Sequence, residues 1–204
     1  MATEIELKLS VMNAHEIVVL EQVKQCLFAL KIDAEFHMNR LENAYYDTPD
    51  LVLNAEKIAL RIRKKGKRYI QTLKTKGQSV NGLSKRGEWE WVIPEPQLQL
   101  DSLVQSQAWP SSIDAHQLCK AFETNFTRHQ VEFTWHEATI ELAIDQGEIL
   151  SGGKTETINE LELELVAGNE QSLHLLCQEL QKYMTLVPSD ISKAERGYRL
   201  GKSP

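Results

Sequence analysis

Six stretches of this chain alternate charged and apolar residues at every second position, which restricts each of them to a β-strand with one charged and one apolar face. Glu4, Glu6 and Lys8 alternate with Ile5, Leu7 and Leu9, and Arg61 and Arg63 with Leu60 and Ile62. Thr72, Lys74 and Lys76 alternate with Leu73 and Thr75, and Arg86, Glu88 and Glu90 with Gly87, Trp89 and Trp91. Glu141, Ala143 and Asp145 alternate with Ile140, Leu142 and Ile144, and Glu160, Glu162 and Glu164 with Leu161, Leu163 and Leu165. Between these runs, Lys65-Gly66-Lys67, Gly77-Gln78, Asn81-Gly82 and Gly152-Gly153 supply turn residues.

Helical spacing separates the strands. Asn13 followed by Glu16 has the form of an N-cap with a capping box, and Ile17, Leu20, Val23, Leu27 and Leu30 predict a helix ending near Lys31 or Ile32. A second helical pattern runs from about Ser112 to Phe122 and a third from about Glu170 to Met184. A short fourth helix is expected after Ser192 and before Gly197.

Two architectures accommodate the strands. One is a single antiparallel sheet with helices on its apolar face and its charges in water. The other is a closed barrel whose charged faces point inward. Solvated strand faces usually mix Thr, Ser and Gln with scattered charges, whereas here the cations cluster in the first half of the chain and the acids at its two ends.

The chemistry of those charges bears on function. Guanidinium forks match phosphate oxygens, and lysines add point charges. Carboxylates at i and i+2 of a strand converge on one face and can share a hard cation such as Mg2+ or Mn2+, which prefers oxygen ligands. The competing account is a barrel held together by internal ion pairs, because enclosed cations need carboxylates to offset their desolvation.

The chain has 204 residues, 42% hydrophobic and 25% charged, enough for one substantial core. Its net charge of -6 argues against a generic nucleic-acid binder. The three cysteines are far apart, odd in number and form no C-x-x-C pair, so neither a disulfide framework nor a zinc site is suggested and a reducing cytosol fits best. No apolar stretch approaches the length of a membrane span and no secretory signal pattern opens the chain, so neither membrane insertion nor secretion is expected.

The run Glu4-Ile-Glu-Leu-Lys8 matches the E-x-E-x-K signature of the CYTH, or triphosphate tunnel metalloenzyme, superfamily. Asn43-Ala-Tyr-Tyr-Asp-Thr-Pro49 resembles that family's segment after the first helix, and Leu60-Arg-Ile-Arg63 its R-x-R strand. Thr72-Leu-Lys74 is similar to its lysine strand, Ile144-Asp145 and Glu160-Leu-Glu162 to its acidic strands, and Ser192-Lys193 to the lysine near its end. The resemblance covers nearly the whole chain, and Ala143-Ile-Asp-Gln-Gly147 and Ser192-Lys-Ala-Glu-Arg-Gly-Tyr198 bring it nearest to the bacterial inorganic triphosphatases.

This resemblance implies an α+β fold, an eight-stranded antiparallel β-barrel with helices packed outside, and hydrolysis of a triphosphate with Mg2+ or Mn2+. Lys8, Arg61, Arg63, Lys74, Lys76, Arg86, Arg128 and Lys193 are the implied substrate-binding residues, Lys76 being as readily a solvated residue near a turn. Glu4, Glu6, Asp145, Glu160, Glu162 and Glu164 are the implied metal ligands, with a slip of two residues open among the last three. Lys8, Asp145 and Glu162 are the implied catalytic residues. Inorganic triphosphate or another triphosphate compound is the expected partner, with no specific nucleic acid and no membrane. Some relatives carry a helical CHAD domain after this region; a single CYTH domain over residues 1–204 without one is the expectation here.

Other residues invite plainer readings. Ser151-Gly-Gly-Lys154 lacks the full P-loop spacing and reads as a hairpin turn. Trp89 and Trp91 fall on the face opposite Arg86 and Glu88, where they pack against helices. The alternatives are an adenylate cyclase or thiamine triphosphatase of the same fold, and a non-catalytic polyphosphate-binding module that keeps the cations but loses the metal acids.

Overall fold

Aliphatic residues at alternate positions need a second layer to cover them, and helices supply it on the outside of a closed sheet. The computed structural model describes residues 2–12 and 16–202. Its strands are β1 (Ala2–Val11), β2 (His37–Asp47), β3 (Ala59–Lys65), β4 (Arg68–Lys74), β5 (Gln78–Val80), β6 (Leu83–Ile93), β7 (Cys119–Trp135), β8 (Ala138–Ser151), β9 (Lys154–Ala167) and β10 (Leu186–Pro188). Its α-helices are α1 (Glu16–Ala29), α2 (Val52–Ala55), α3 (Leu100–Val104), α4 (Gln171–Leu180) and α5 (Lys193–Lys202).

The antiparallel order β1-β9-β8-β7-β2-β3-β4-β6 closes on itself where Ala2–Leu7 of β1 pairs with Leu83–Glu88 of β6, giving an eight-stranded barrel. The short β5 and β10 extend it beside β6 and β1. Leu7 and Leu9 of β1, Ile140, Leu142 and Ile144 of β8, and Leu161 and Leu163 of β9 point outward against Val23 and Leu27 of α1 and Leu173, Leu176 and Leu180 of α4. Each such fully buried aliphatic side chain contributes roughly 1.5–3 kcal/mol. Leu60 and Leu73 pack outward on Leu53, Leu103 and Trp109, with Trp89 and Trp91 against the same cluster.

One end of the interior is apolar. Tyr45, Phe122, Phe126, Ile149 and Ile158 pack there against Ala194 and Tyr198 of α5. Gly197 permits this contact, because a Cβ on it would lie 2.2 Å from the Phe122 ring. Ser192 and Glu195 start α5 as a reciprocal capping box, the Ser192 hydroxyl accepting from the Glu195 amide at 3.1 Å and the Glu195 carboxylate from the Ser192 amide at 2.9 Å.

Several expectations are corrected. The stretch from Ser112 to Phe122 is not a helix: a 3-10 turn at Ala115–Gln117 leads into β7, where Phe122, Thr124, Phe126 and Arg128 point inward at every second residue. The period of two continues for 17 residues and outweighs the short helical spacing before it. Helix α4 stops at Leu180, short of Met184, and α5 runs through Gly197 to Lys202. Helix α1 stops at Ala29, ahead of a left-handed Lys31, and its expected cap at Asn13 lies outside the described residues. The turns at Asn81-Gly82 and Gly152-Gly153 have positive φ at both residues, as two-residue hairpins require. No helix of the described residues is long and apolar enough to cross a membrane.

Candidate active site

The charged faces of the strands meet inside the barrel around a cavity of about 270 Å³. Strand β1 contributes Glu4, Glu6 and Lys8, which are 7%, 6% and 5% exposed. Strand β3 contributes Arg61, Arg63 and Lys65, β4 Lys74, and β6 Arg86, Glu88 and Glu90. Arg128 and Gln130 come from β7, Glu141 from β8, Glu162 and Glu164 from β9, and Lys193 from the first turn of α5.

One cluster centres on Lys193. Its Nζ donates to Glu160 at 2.6 Å and Glu162 at 2.6 Å and pairs with Asp145 at 2.8 Å. Arg128 forks onto Asp145 through Nε at 2.7 Å and Nη2 at 2.6 Å, and Nη2 also reaches Glu162. Burial opposes the charge on Glu162, but Lys193 and Arg128 beside it hold the carboxyl well below the usual range. Arg196 of α5 closes the arrangement from behind, pairing with Glu160 and, at 2.6 Å, with Glu156.

A second cluster centres on Glu4, which accepts from Lys74 at 2.6 Å and from Arg86 Nε at 2.7 Å. Burial alone would raise its pKa, yet Lys74 and Arg86 outweigh it and hold Glu4 at about 2. Lys74 also pairs with Glu88 at 3.1 Å.

The third group is not neutralised. Glu6 is pushed up to about 7 by burial and by the negative charges of Glu162 and Glu4. Glu164, its cross-strand partner, is likewise pushed up to about 7, by burial and the charge of Glu4. Neither is in a salt bridge among the described residues. Opposite in sign, Arg63 is lowered to about 9 by burial and by neighbouring Arg61 and Arg128. Its Nε donates to Asn43 Oδ1 at 2.8 Å, and Asn43 is anchored by its amide to Thr124 O at 3.0 Å. Tyr45, stacked on Phe122 with centroids 4.5 Å apart, has its phenol pKa lowered, since Arg61 and Arg63 outweigh its burial.

The structure thus gathers Lys8, Arg61, Arg63, Lys74, Arg86, Arg128, Lys193, Glu4, Glu6, Glu162 and Glu164 on one wall. Asp145 and Glu160, 0% and 1% exposed, lie behind that wall, taken up by Arg128, Lys193 and Arg196. Lys76 lies beyond the end of β4 and lines a neighbouring cavity instead. Tyr45, Lys65, Gln130 and Glu141 also belong to the wall; only β7 read as a strand would have brought Gln130 onto it, two residues from Arg128.

The available donors for a metal are carboxylate oxygens, the set a hard divalent cation prefers. Among the described residues no three such groups are close enough to hold an ion by themselves. A cation here would therefore share one or two carboxylates with oxygens of a ligand, as Mg2+ commonly does.

Comparison with known proteins agrees with this geometry. The CYTH domain family matches residues 2–198. An inorganic triphosphatase of Haemophilus influenzae is 35% identical over 206 residues, covering 98% of this chain; the chain spans about half that relative's length, 56%. A Hippeastrum protein studied as an adenylyl cyclase, with a dominant triphosphatase activity, shares the fold at TM-score 0.66 and 21% identity, over 98% of this chain and 97% of that one. A Bacillus halodurans protein assigned as an adenylate cyclase shares it at TM-score 0.53 and 21% identity, over 94% and 97%. At these identities the two structures speak for the fold alone.

Proposed function

The chain belongs to the CYTH domain family, and from that membership we propose that it hydrolyses inorganic triphosphate to pyrophosphate and phosphate inside the barrel, with Mg2+ or Mn2+ as cofactor. One observation carries the reading: among the described residues of a single cavity, Arg63, Glu6 and Glu164 are in no salt bridge, Lys8 and Arg86 acting on Glu6, Lys74 on Glu164 and Asp145 on Arg63 only from a distance. Ion pairs built only for stability would have joined such groups, since an unpaired buried charge is costly. A polyanion together with a divalent cation satisfies both.

Arg61, Arg63, Arg86 and Arg128, with Lys8, Lys74 and Lys193, hold the phosphate oxygens and offset the charge that develops on the transferring phosphoryl group. Asp145 and Glu160 keep Arg128 and Lys193 extended toward the cavity. Glu162 faces the cavity itself and orients the attacking water. Glu6 and Glu164, with Glu4 adjoining, would hold the cation. When bound, it would supply Lewis-acid polarisation of the phosphate oxygens. The free cysteines Cys26, Cys119 and Cys177 fit a reducing cytoplasm.

Phosphate release from inorganic triphosphate, ATP and thiamine triphosphate, each with Mg2+, Mn2+ or EDTA, tests this. Metal-dependent release from inorganic triphosphate well above the other two is expected. Cyclic AMP and pyrophosphate from ATP would replace the proposal with a cyclase; no turnover of any substrate would overturn it.

A further inference from the structure

A second cavity of about 330 Å³ adjoins the first, and Lys8, Lys74, Arg86 and Ser192 line both. Its remaining wall carries Lys57, Lys76, Asn54, Gln78 and Ser79. Two acids also border it, and both are engaged. Asp190 accepts from the Ser79 hydroxyl at 2.7 Å and the Gly82 amide at 2.8 Å, bonds that hold its carboxyl low. Glu195 caps the start of α5 through the Ser192 amide and hydroxyl, and its other oxygen makes a long, exposed pair with Lys57 at 3.9 Å.

The loop bearing Lys76 is fixed against β6. The Thr75 amide donates to Gly87 O at 3.0 Å, and a Cβ at Gly77 would meet Lys85 O at 2.3 Å, so only glycine allows this approach. Lys76 is exposed and in no salt bridge among the described residues. Among the described residues on the wall the one aromatic ring is Tyr198, 7% exposed and packed edge-on against Phe122, which leaves no free face on which a base or thiamine ring could stack.

We infer that this chamber is a second phosphate subsite, which receives the continuation of linear polyphosphates longer than triphosphate while their terminal phosphates occupy the tunnel. The inference rests on the triphosphatase reading for the tunnel itself. Lys57 and Lys76 would contact only the added phosphates, with Asn54 and Gln78 as neutral donors, so these residues set chain-length preference.

The test is the rise in melting temperature in EDTA, where no turnover occurs, with triphosphate and with a linear polyphosphate of about ten phosphates, supported by metal-dependent kcat/KM for both. The apparent affinity of the longer chain should exceed that of triphosphate at least tenfold. The Lys57→Gln/Lys76→Gln double variant should lose that margin, whereas Lys24→Gln, on α1 and outside both cavities, should keep it. A margin that is absent in the wild type, or that survives the double variant, overturns the subsite. Preference for ATP over the longer polyphosphate also overturns it, in favour of an organic group in the chamber. If the longer chain binds and triphosphate does not, the chamber is no extension of a triphosphate site, and the subsite falls together with the triphosphatase reading; if neither binds, both fall.

Discussion

Glu6 of β1 and Glu164 of β9 stand directly opposite each other across their strand ladder, and neither is in a salt bridge among the described residues. Two carboxylates so placed repel each other unless one is protonated or a cation lies between them.

Replacing Glu6 by Gln removes that repulsion and a cation ligand together. Metal-dependent release of phosphate from triphosphate should fall by about a hundredfold or more. The melting temperature in EDTA should stay level or rise. A variant that keeps full turnover would remove Glu6 from the site.

The same pair gives the metal-free protein a pH signature. Both carboxyls have folded-state values of about 7, against an ordinary 4.5, so the folded state holds protons that the unfolded state has released. Their contribution to stability is complete below about pH 4.5 and is lost as pH rises through 7. Glu4, held at about 2, works in the opposite sense and in another window, losing its contribution as pH falls from 4.5 toward 2. Melting curves in EDTA should therefore decline between pH 5 and 7.5, and the Glu6→Gln/Glu164→Gln double variant should flatten that decline.

Arg63 should separate binding from stability. Its buried charge is in no salt bridge among the described residues, so Arg63→Met should leave the ligand-free melting temperature unchanged or higher. Triphosphate affinity should drop by roughly ten- to a hundredfold, the measure of about 1.5–3 kcal/mol for charge-assisted hydrogen bonds. Isothermal titration with triphosphate reads the second effect. A marked loss of ligand-free stability would point instead to a structural cation.

Gly197→Ala places a methyl group 2.2 Å from the Phe122 ring, in a helix that cannot retreat without moving Lys193. Such overpacking costs about 1–3 kcal/mol. A lowered melting temperature with a raised KM for triphosphate is the expected pair of effects.

Much of the barrel was legible because its strands carry charge on one side only, a pattern with few other homes. Where the inward face was mixed, the reading failed. Strand β7 presents Phe122, Thr124, Phe126 and Arg128 inward, so no charge alternation marks it, and the helical spacing at its start is the stronger local signal. The turn between β7 and β8 was equally silent, because His136 and Glu137 adopt positive φ without a glycine. Among site residues, alternation and resemblance placed Glu4, Glu6, Arg61, Arg63 and Lys74 on the charged face, but neither says which acids are already occupied. Arg128 takes Asp145 directly across the β7–β8 ladder, whereas the hold of Lys193 and Arg196 on Glu160 depends on α5 docking over the barrel end, a long-range contact with no local trace.

Closure of the barrel through β1 also bears on how the chain is made. The first strand lies between β6 and β9, so one of its neighbours does not exist until synthesis has passed Ala167. Until then β1 is an incompletely paired strand edge on a nascent chain, the kind of surface that templates aggregation. Glu4, Glu6 and Lys8 along it keep that edge wet and charged through the wait. Residues that serve the tunnel in the finished protein would thus act earlier as its own guard against mispairing.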